Sequence, residues 1–388
     1  MPHFPSPHER SLDLDVQHDS AWTDSSSLVE LAEDGTEVEV PYKVDTSCFV
    51  TGQVKSENNT VTSLSLCDGV SGIVHTPEVD YVIETSEIQK RDYENGNELV
   101  LNVRIVDKEV KDDNMDLLLK AMEIDEKNVF KDLQVNDSDV EKELSTIRTS
   151  ELEDKEDPFD LEVDELDPEA ETIQKRQMLK GAVEVGVFLD NNFMKYMEEI
   201  GKTKKKDVVN YMITKWNIVR KVYADKSKVG SDFKVELKYI ELWKKKNPDY
   251  YEPHQNSEDM GKHLKPFCFN VNKDDLDHKV VYTHYVGGGI MGLSWVGGVC
   301  SEHFKCSLVK INTYKLEYSR IEMHELGHNL GFPHFESMNN CGSVPGFMSG
   351  ARSYNFGPCF KPILRNTIAT KSCLSEKNFK GKVKNKGD

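Results

Sequence analysis

Twelve residues, Met323-His-Glu-Leu-Gly-His-Asn-Leu-Gly-Phe-Pro-His334, limit what this chain can fold into more than any other stretch. They carry the spacing H-E-x-x-H-x-x-G-x-x-H. On an α-helix His324 and His328 lie one turn apart and project from the same face. Two neutral imidazoles at that spacing can grip one Zn²⁺. Glu325 is rotated by about 100° around the helix, where its carboxylate can reach a water on the metal. Gly331 can take φ > 0, end the helix and turn the chain back. The turn, stiffened by Pro333, lets His334 approach as a third ligand. Three protein ligands leave one coordination position open, which separates a catalytic zinc from a structural one.

The net charge of −19 over 388 residues hides an asymmetry. Residues 1–176 hold 16 Lys+Arg and 45 Asp+Glu, a net of −29, and residues 177–388 hold 33 and 23, a net of +10. Two halves of opposite sign are expected to attract each other. The basic half carries no nucleic-acid recognition motif, so no nucleic-acid partner is expected. The longest apolar stretch, Val280–Cys300, is broken by His284 and six glycines. It reads as strands and turns, not a membrane span. Residues 1–10 lack the apolar core of a signal peptide, so the expectation is a truncated N-terminus or unusual export.

Residues 1–30 read as disordered. Short alternating runs at Val38–Val44, Val61–Leu66, Tyr81–Ile88 and Leu99–Val106 predict a small β-rich domain over about residues 37–106. Asn58-Asn-Thr60 and Asn136-Asp-Ser138 are glycosylation sequons. Residues 107–174 read as an acidic, solvated linker. It ends at Lys175-Arg176, a dibasic pair placed where the composition switches and therefore a candidate processing site. The pattern then becomes that of an α/β domain over 177–388. Strands are predicted at Gly181–Leu189, Phe233–Trp243, Val280–Tyr285 and Leu293–Val299. Helices are predicted at Asp207–Tyr223, from the spacing of Val208, Met212, Trp216 and Val219, and at Asn312–Leu330. Lys204–Lys206 and Lys244–Lys246 read as solvated ends of elements, with docking of the acidic half as the alternative.

The eight cysteines form no C-x-x-C pair, so a zinc ribbon is not expected. Two (Cys48, Cys67) lie in the acidic half and six (Cys268, Cys300, Cys306, Cys341, Cys359, Cys373) in the basic half. An even count in each fits disulfides and an oxidising compartment. Spacing alone leaves fifteen pairings of the six open.

Together these features resemble the adamalysin (reprolysin) family of metzincin zinc endopeptidases over about residues 177–376. Val183–Asp190 is similar to the first strand of that catalytic domain, and Val235–Trp243 to the second. Gly292–Cys300 is similar to the upper rim of its cleft. Phe347-Met-Ser349, with Met348 fourteen residues past His334, resembles the Met-turn. Ser63–Gly72 is similar to a propeptide segment, so the layout resembles short venom or salivary metalloproteases, arthropod ones included, made of propeptide and protease without a disintegrin extension. Phe335 departs from the family, which has Asp there, and no cysteine switch of P-K-x-C-G type is visible.

The resemblance implies a twisted mixed sheet with a zinc-binding active-site helix, preceded by a β-rich propeptide. It implies the disulfides Cys300–Cys373 and Cys341–Cys359, leaving Cys268–Cys306. It also suggests a calcium site, with Glu184 and Asp277 as acidic ligands and Glu376 in place of an Asn. The expected activity is zinc-dependent hydrolysis of protein substrates outside the cell, with Glu325 as general base and Met348 packed beneath the metal. Substrate is expected to pair along the edge residues Leu293, Ser294, Trp295, Val296 and Gly297. The propeptide is expected to act as an intramolecular inhibitor until a processing protease cuts at Lys175-Arg176, leaving a monomer. Rival readings are an inactive binding or toxin module, a zinc hydrolase of other substrates, and another metzincin branch with the same chemistry.

Overall fold

A computed structural model describes residues 11–67, 69–84, 102–107, 178–252, 260–284, 291–311, 316, 319–338, 346–349 and 353–375. The C-terminal half is built on strands β9 (Lys180–Leu189), β10 (Asp232–Leu242), β11 (His278–Thr283), β12 (Gly292–Ser294) and β13 (Cys306–Lys310). β9, β10, β11 and β13 pair in parallel, and β12 runs antiparallel to β13. The central strands are buried on both faces, as in a sheet covered on both sides.

Helix α1 (Asn191–Glu199) starts directly after β9, where Asp190 caps it by accepting from Phe193 N at 2.8 Å. Helix α2 (Lys205–Tyr223) carries Asp207 in its first turn and Arg220 and Lys221 in its last, complementing its dipole. α2 and helix α4 (Ser319–Asn329) bury Val208, Met212, Val219, Met323 and Leu326 in one core cluster. Helix α3 (Met260–Asn270) buries Leu264 and Phe267 in a second, with Phe188, Val281 and Leu308 of the strands. Alternate strand residues point to opposite faces, so the two clusters are the two layers of one sheet. Helix α5 (Phe360–Thr370) adds Phe360 and Leu364 to the first cluster.

The predicted strands Gly181–Leu189, Phe233–Trp243 and Val280–Tyr285, the helix Asp207–Tyr223 and the N-terminal runs Val61–Leu66, Tyr81–Ile88 and Leu99–Val106 meet observed elements within a few residues. By contrast, α1, α3, α5 and β13 were not predicted, and the first thirty residues depart from the reading. Residues 14–31 are not disordered: they form β1 (Leu14–His18) and β2 (Trp22–Leu31). β1 opens a six-stranded antiparallel sheet with β4 (Phe49–Val54), β5 (Val61–Ser65), β6 (Ser71–His75), β7 (Val79–Glu84) and β8 (Asn102–Asp107). β2 instead joins the other sheet, parallel to β10, and β3 (Glu37–Glu39) pairs antiparallel with β2. The resulting seven-stranded order is β12-β13-β11-β9-β10-β2-β3. The polar run Asp24–Ser27 masked this strand. Its serines bond β10 rather than solvent: Ser26 Oγ donates to the Leu237 carbonyl at 2.6 Å, and Lys238 Nζ donates to Ser25 Oγ at 3.0 Å.

The lysine clusters are also not merely solvated. Lys205 pairs with Glu30, and Lys245 lies 3.0 Å from Glu33. With Arg220–Asp19 at 2.9 Å and Lys273–Glu37 at 2.6 Å, they carry the attraction expected from the charge split. Disulfides join Cys48–Cys67, Cys268–Cys306 and Cys300–Cys373. Cys359 is disulfide-bonded. Cys341, Glu376, Asn136–Ser138 and Lys175-Arg176 lie outside the described residues. No helix among the described residues is long and apolar enough to cross a membrane.

Candidate functional site

α4 is described from Ser319, the predicted start at Asn312 lying outside the described residues, and it carries His324, Glu325 and His328 on buried turns. Gly331, at φ 98°, reverses the chain after Leu330. The reversal is closed by backbone bonds from Gly331 N to His328 O and from Phe332 N to Gly327 O, at 2.8 and 2.9 Å. It returns His334 so that its Nε2 lies 3.1 Å from His328 Nε2 and 3.2 Å from His324 Nε2.

These separations match one cation. Three Zn–N bonds of about 2.0–2.1 Å at tetrahedral angles place the nitrogens about 3.3 Å apart. The tautomers agree, because His324 Nδ1 donates to the Phe347 carbonyl at 3.0 Å and His328 Nδ1 to the Phe332 carbonyl at 2.8 Å. A carbonyl only accepts, so both Nε2 atoms present lone pairs to the same point. Burial also keeps both rings neutral. It holds His324 down at about 3, reinforced by His334, and drives His328 well below its ordinary value, reinforced by His324 and then His334. The converging lone pairs fit a metal ion.

Glu325 is 2 % exposed, one residue past the first ligand. Gly292, at the start of β12, backs it so closely that a Cβ there would overlap the Glu325 carboxylate. Beneath the helix, a Cβ on Gly327 would overlap Met348 Sδ. Met348 is fully buried, and its carbonyl accepts from Phe335 N at 3.0 Å. Phe335 is half-buried against the core, so its side chain packs where the family's Asp would stand.

Two features of this site were absent from the sequence reading. Asn329 bridges the end of α4 to the adjacent loop: its Nδ2 donates to the Trp295 and Phe304 carbonyls at 3.0 and 2.9 Å. Its Oδ1 accepts from His278 Nδ1 at 2.8 Å. The other feature is a fully buried ion pair between α2 and α4, Lys215 Nζ to Glu322 Oε1 at 2.8 Å, with Tyr282 Oη donating to the same oxygen at 3.1 Å. Asn329 stands inside the motif and its spacing could have flagged it. Lys215 sits in the apolar pattern of α2, where nothing local distinguishes a buried lysine.

The expected edge strand is shorter than predicted. Leu293 and Ser294 lie in β12, but Trp295, Val296 and Gly297 do not continue it. Their backbone groups turn to α4 instead: Gly297 N donates to His328 O at 2.8 Å, and Trp295 O accepts from Asn329. Trp295 is buried, with Nε1 3.4 Å from Cys268 Sγ.

Glu184 and Asp277 do meet, with Glu184 N donating to Asp277 Oδ2 at 2.8 Å. Burial raises the Asp277 carboxyl to about 7. Lys238 Nζ lies 3.9 Å from Glu184 Oε1 and 2.7 Å from Glu236 Oε2, so an ammonium already stands beside this group. Cys48 and Cys67, the cysteines of the acidic half, are tied to each other and offer no thiolate to the histidines.

Residues 181–354 match the reprolysin profile of metallo-peptidase family M12. The chain is 23% identical over 360 residues to human "A disintegrin and metalloproteinase with thrombospondin motifs 3", covering 87% of this chain and 27% of that protein. It is 22% identical over 343 residues to a "Zinc metalloproteinase/disintegrin" of Gloydius halys, with 87% and 61% covered. It is 24% identical over 349 residues to "Zinc metalloproteinase-disintegrin-like BfMP" of Bungarus fasciatus, with 84% and 48% covered. The chain thus spans between about a quarter and three fifths of the length of these relatives.

Proposed function

We infer from this chain, whose residues 181–354 belong to metallo-peptidase family M12, a zinc-dependent endopeptidase that is made as a zymogen and acts on proteins outside the cell. The observation that carries this reading is the meeting of the His324, His328 and His334 Nε2 atoms beside the buried Glu325 carboxylate. When bound there, zinc supplies the Lewis acidity that lowers the pKa of a water toward about 7.

The protein's own groups do the rest. The Phe347 and Phe332 carbonyls fix two ligand rings in the tautomer that leaves Nε2 free to bind. Glu325 Oε takes the proton of the attacking water and passes it to the departing amine. Gly292 leaves that carboxylate room and, with Leu293 and Ser294, offers the terminal strand of the sheet to an extended substrate. A three-residue strand gives few main-chain bonds, so side-chain pockets are expected to dominate specificity.

The three disulfides support an extracellular location. Activation follows cleavage at Lys175-Arg176, with the acidic N-terminal half as the inhibitor. Calcium at Glu184, Asp277 and Glu376 would have to compete with Lys238, and a calcium-dependent rise in melting temperature is its test. The main reading is tested on the processed protein with casein. Dialysis against a chelator is expected to abolish cleavage, and one equivalent of Zn²⁺ to restore it. Cleavage that persists without metal contradicts the reading.

A further inference from the structure

A propeptide held only by opposite charge would leave after the chain is cut. The described contacts are of another kind. β2 is ten residues long and lies parallel to β10, pairing Leu237 with Trp22 and then Tyr239 through Leu242 with Ser27 through Glu30. Its second half is packed on both faces: Leu28 belongs to the core layer of α2 and α4, while Val29 and Leu31 belong to the layer of α3. It is thus an interior strand of the seven-stranded sheet, with β3 paired to Val29–Leu31 on its far side.

Its polar groups are also built into the C-terminal half. Ala21 N donates to Asn217 Oδ1 at 2.6 Å, and Leu237 N donates to Ala21 O at 2.8 Å. The buried Lys238 donates to Thr23 Oγ1 as well as Ser25 Oγ, each at 3.0 Å. Removing β2 would strip a buried ammonium of two acceptors, open the β10 edge and expose both layers. An open parallel edge of this length is an aggregation hazard.

We infer that β2 and β3 are a permanent part of the protease, so that cleavage between the halves yields a two-chain enzyme and does not release the N-terminal fragment. The inference rests on the processing reading above and extends it: activation requires the cut, not the departure of the fragment. The ion pairs at the rim, such as Lys245–Glu33, are largely solvent-exposed and screened by salt. They guide docking, and the shared sheet holds it.

The test uses the full chain carrying Glu325→Gln to prevent self-digestion, with a recognition sequence for a specific protease placed within residues 150–170. After cutting, gel filtration at about 1 μM is run in about 0.15 M and about 1 M salt. Both fragments are expected to elute as one 1:1 species at either salt, with β10 amides as protected from hydrogen exchange as before the cut. Separation at either salt overturns the inference. Two variants grade the cause. Val29→Ala is expected to lower the urea concentration at which the fragments part by more than Arg220→Ala does, and the reverse order contradicts a shared sheet. Casein assays on the wild-type cut protein keep the two readings apart. Fragments that stay paired but never cleave casein defeat the protease reading alone; active protease that has shed its fragment defeats this one.

Discussion

The five strands of the C-terminal half have two outer strands, β12 and β10, and their edges are finished in opposite ways. At the α4 end, β12 is three residues long, antiparallel to its neighbour, and followed by a chain that spends its backbone groups on the end of α4. At the other, β10 is paired in parallel by the ten-residue β2, whose second half is packed into both layers and which β3 follows in turn. A free edge invites any extended strand to pair. Such an edge is useful where a substrate should enter and harmful elsewhere. The short edge lies against the Glu325 carboxylate, and the long one is closed by the chain's own N-terminal strand.

The two ends also hold charge differently, and substitutions can break the contrast. Lys215→Ala should have the largest effect. Both partners of the Lys215–Glu322 pair are 0 % exposed, so the change strands a buried carboxylate beneath α4. The expected loss is about 3–5 kcal/mol by denaturant unfolding. The double variant Lys215→Met/Glu322→Leu should recover most of it, and equal losses in the two proteins would refute the role of the charge.

Gly292→Ala comes next. Its Cβ must displace the Glu325 carboxylate. A kcat lowered by about 10- to 100-fold with zinc content unchanged is expected. A normal kcat would mean that β12 does not position the base.

His278, hydrogen-bonded to Asn329 at the end of α4, gives a pH signature. Burial lowers its pKa to about 4, against about 6.5 unfolded. Between these values the unfolded chain binds the extra proton, so this histidine's contribution is full above pH 6.5 and is lost as pH falls toward 4. His278→Asn should make the fall in stability over that window shallower, while lowering stability at pH 7. An unchanged slope would show that His278 takes up its proton without unfolding.

Arg220→Ala should do least. The Arg220–Asp19 pair is partly exposed, at 18 % and 22 %, and its removal is expected to cost about 0.5–1 kcal/mol. A loss as large as that of Lys215→Ala would erase the contrast between the two ends.

How far the sequence could be read follows from the same contrast. The site was legible because its chemistry is local: His324, Glu325, His328, Gly331 and His334 lie within eleven residues, and helix geometry alone brings most of them together. Strands β9 and β11 were legible from their apolar runs, and β10 from the alternation of Phe233, Val235, Leu237 and Tyr239 with charged residues. β2 was not, since its first half is Asp24-Ser-Ser-Ser27, whose partners on β10 lie more than 200 residues away. The end of β12 was misread for a related reason. Leu293–Val299 has strand composition, and only the tertiary claims of Asn329 and His328 on its backbone bend it away. Lys215 reads as a break in an apolar face until Glu322 of α4 is placed against it.

The central claim is that three histidines hold a metal and Glu325 performs proton transfer beside it. It is tested most directly by measuring zinc content and casein cleavage side by side in processed wild-type protein and Glu325→Gln. The account predicts one zinc per chain in both, and a rate lowered by at least about 10²-fold in the variant. A variant that cleaves at the wild-type rate, or a wild type that binds no zinc, would contradict it.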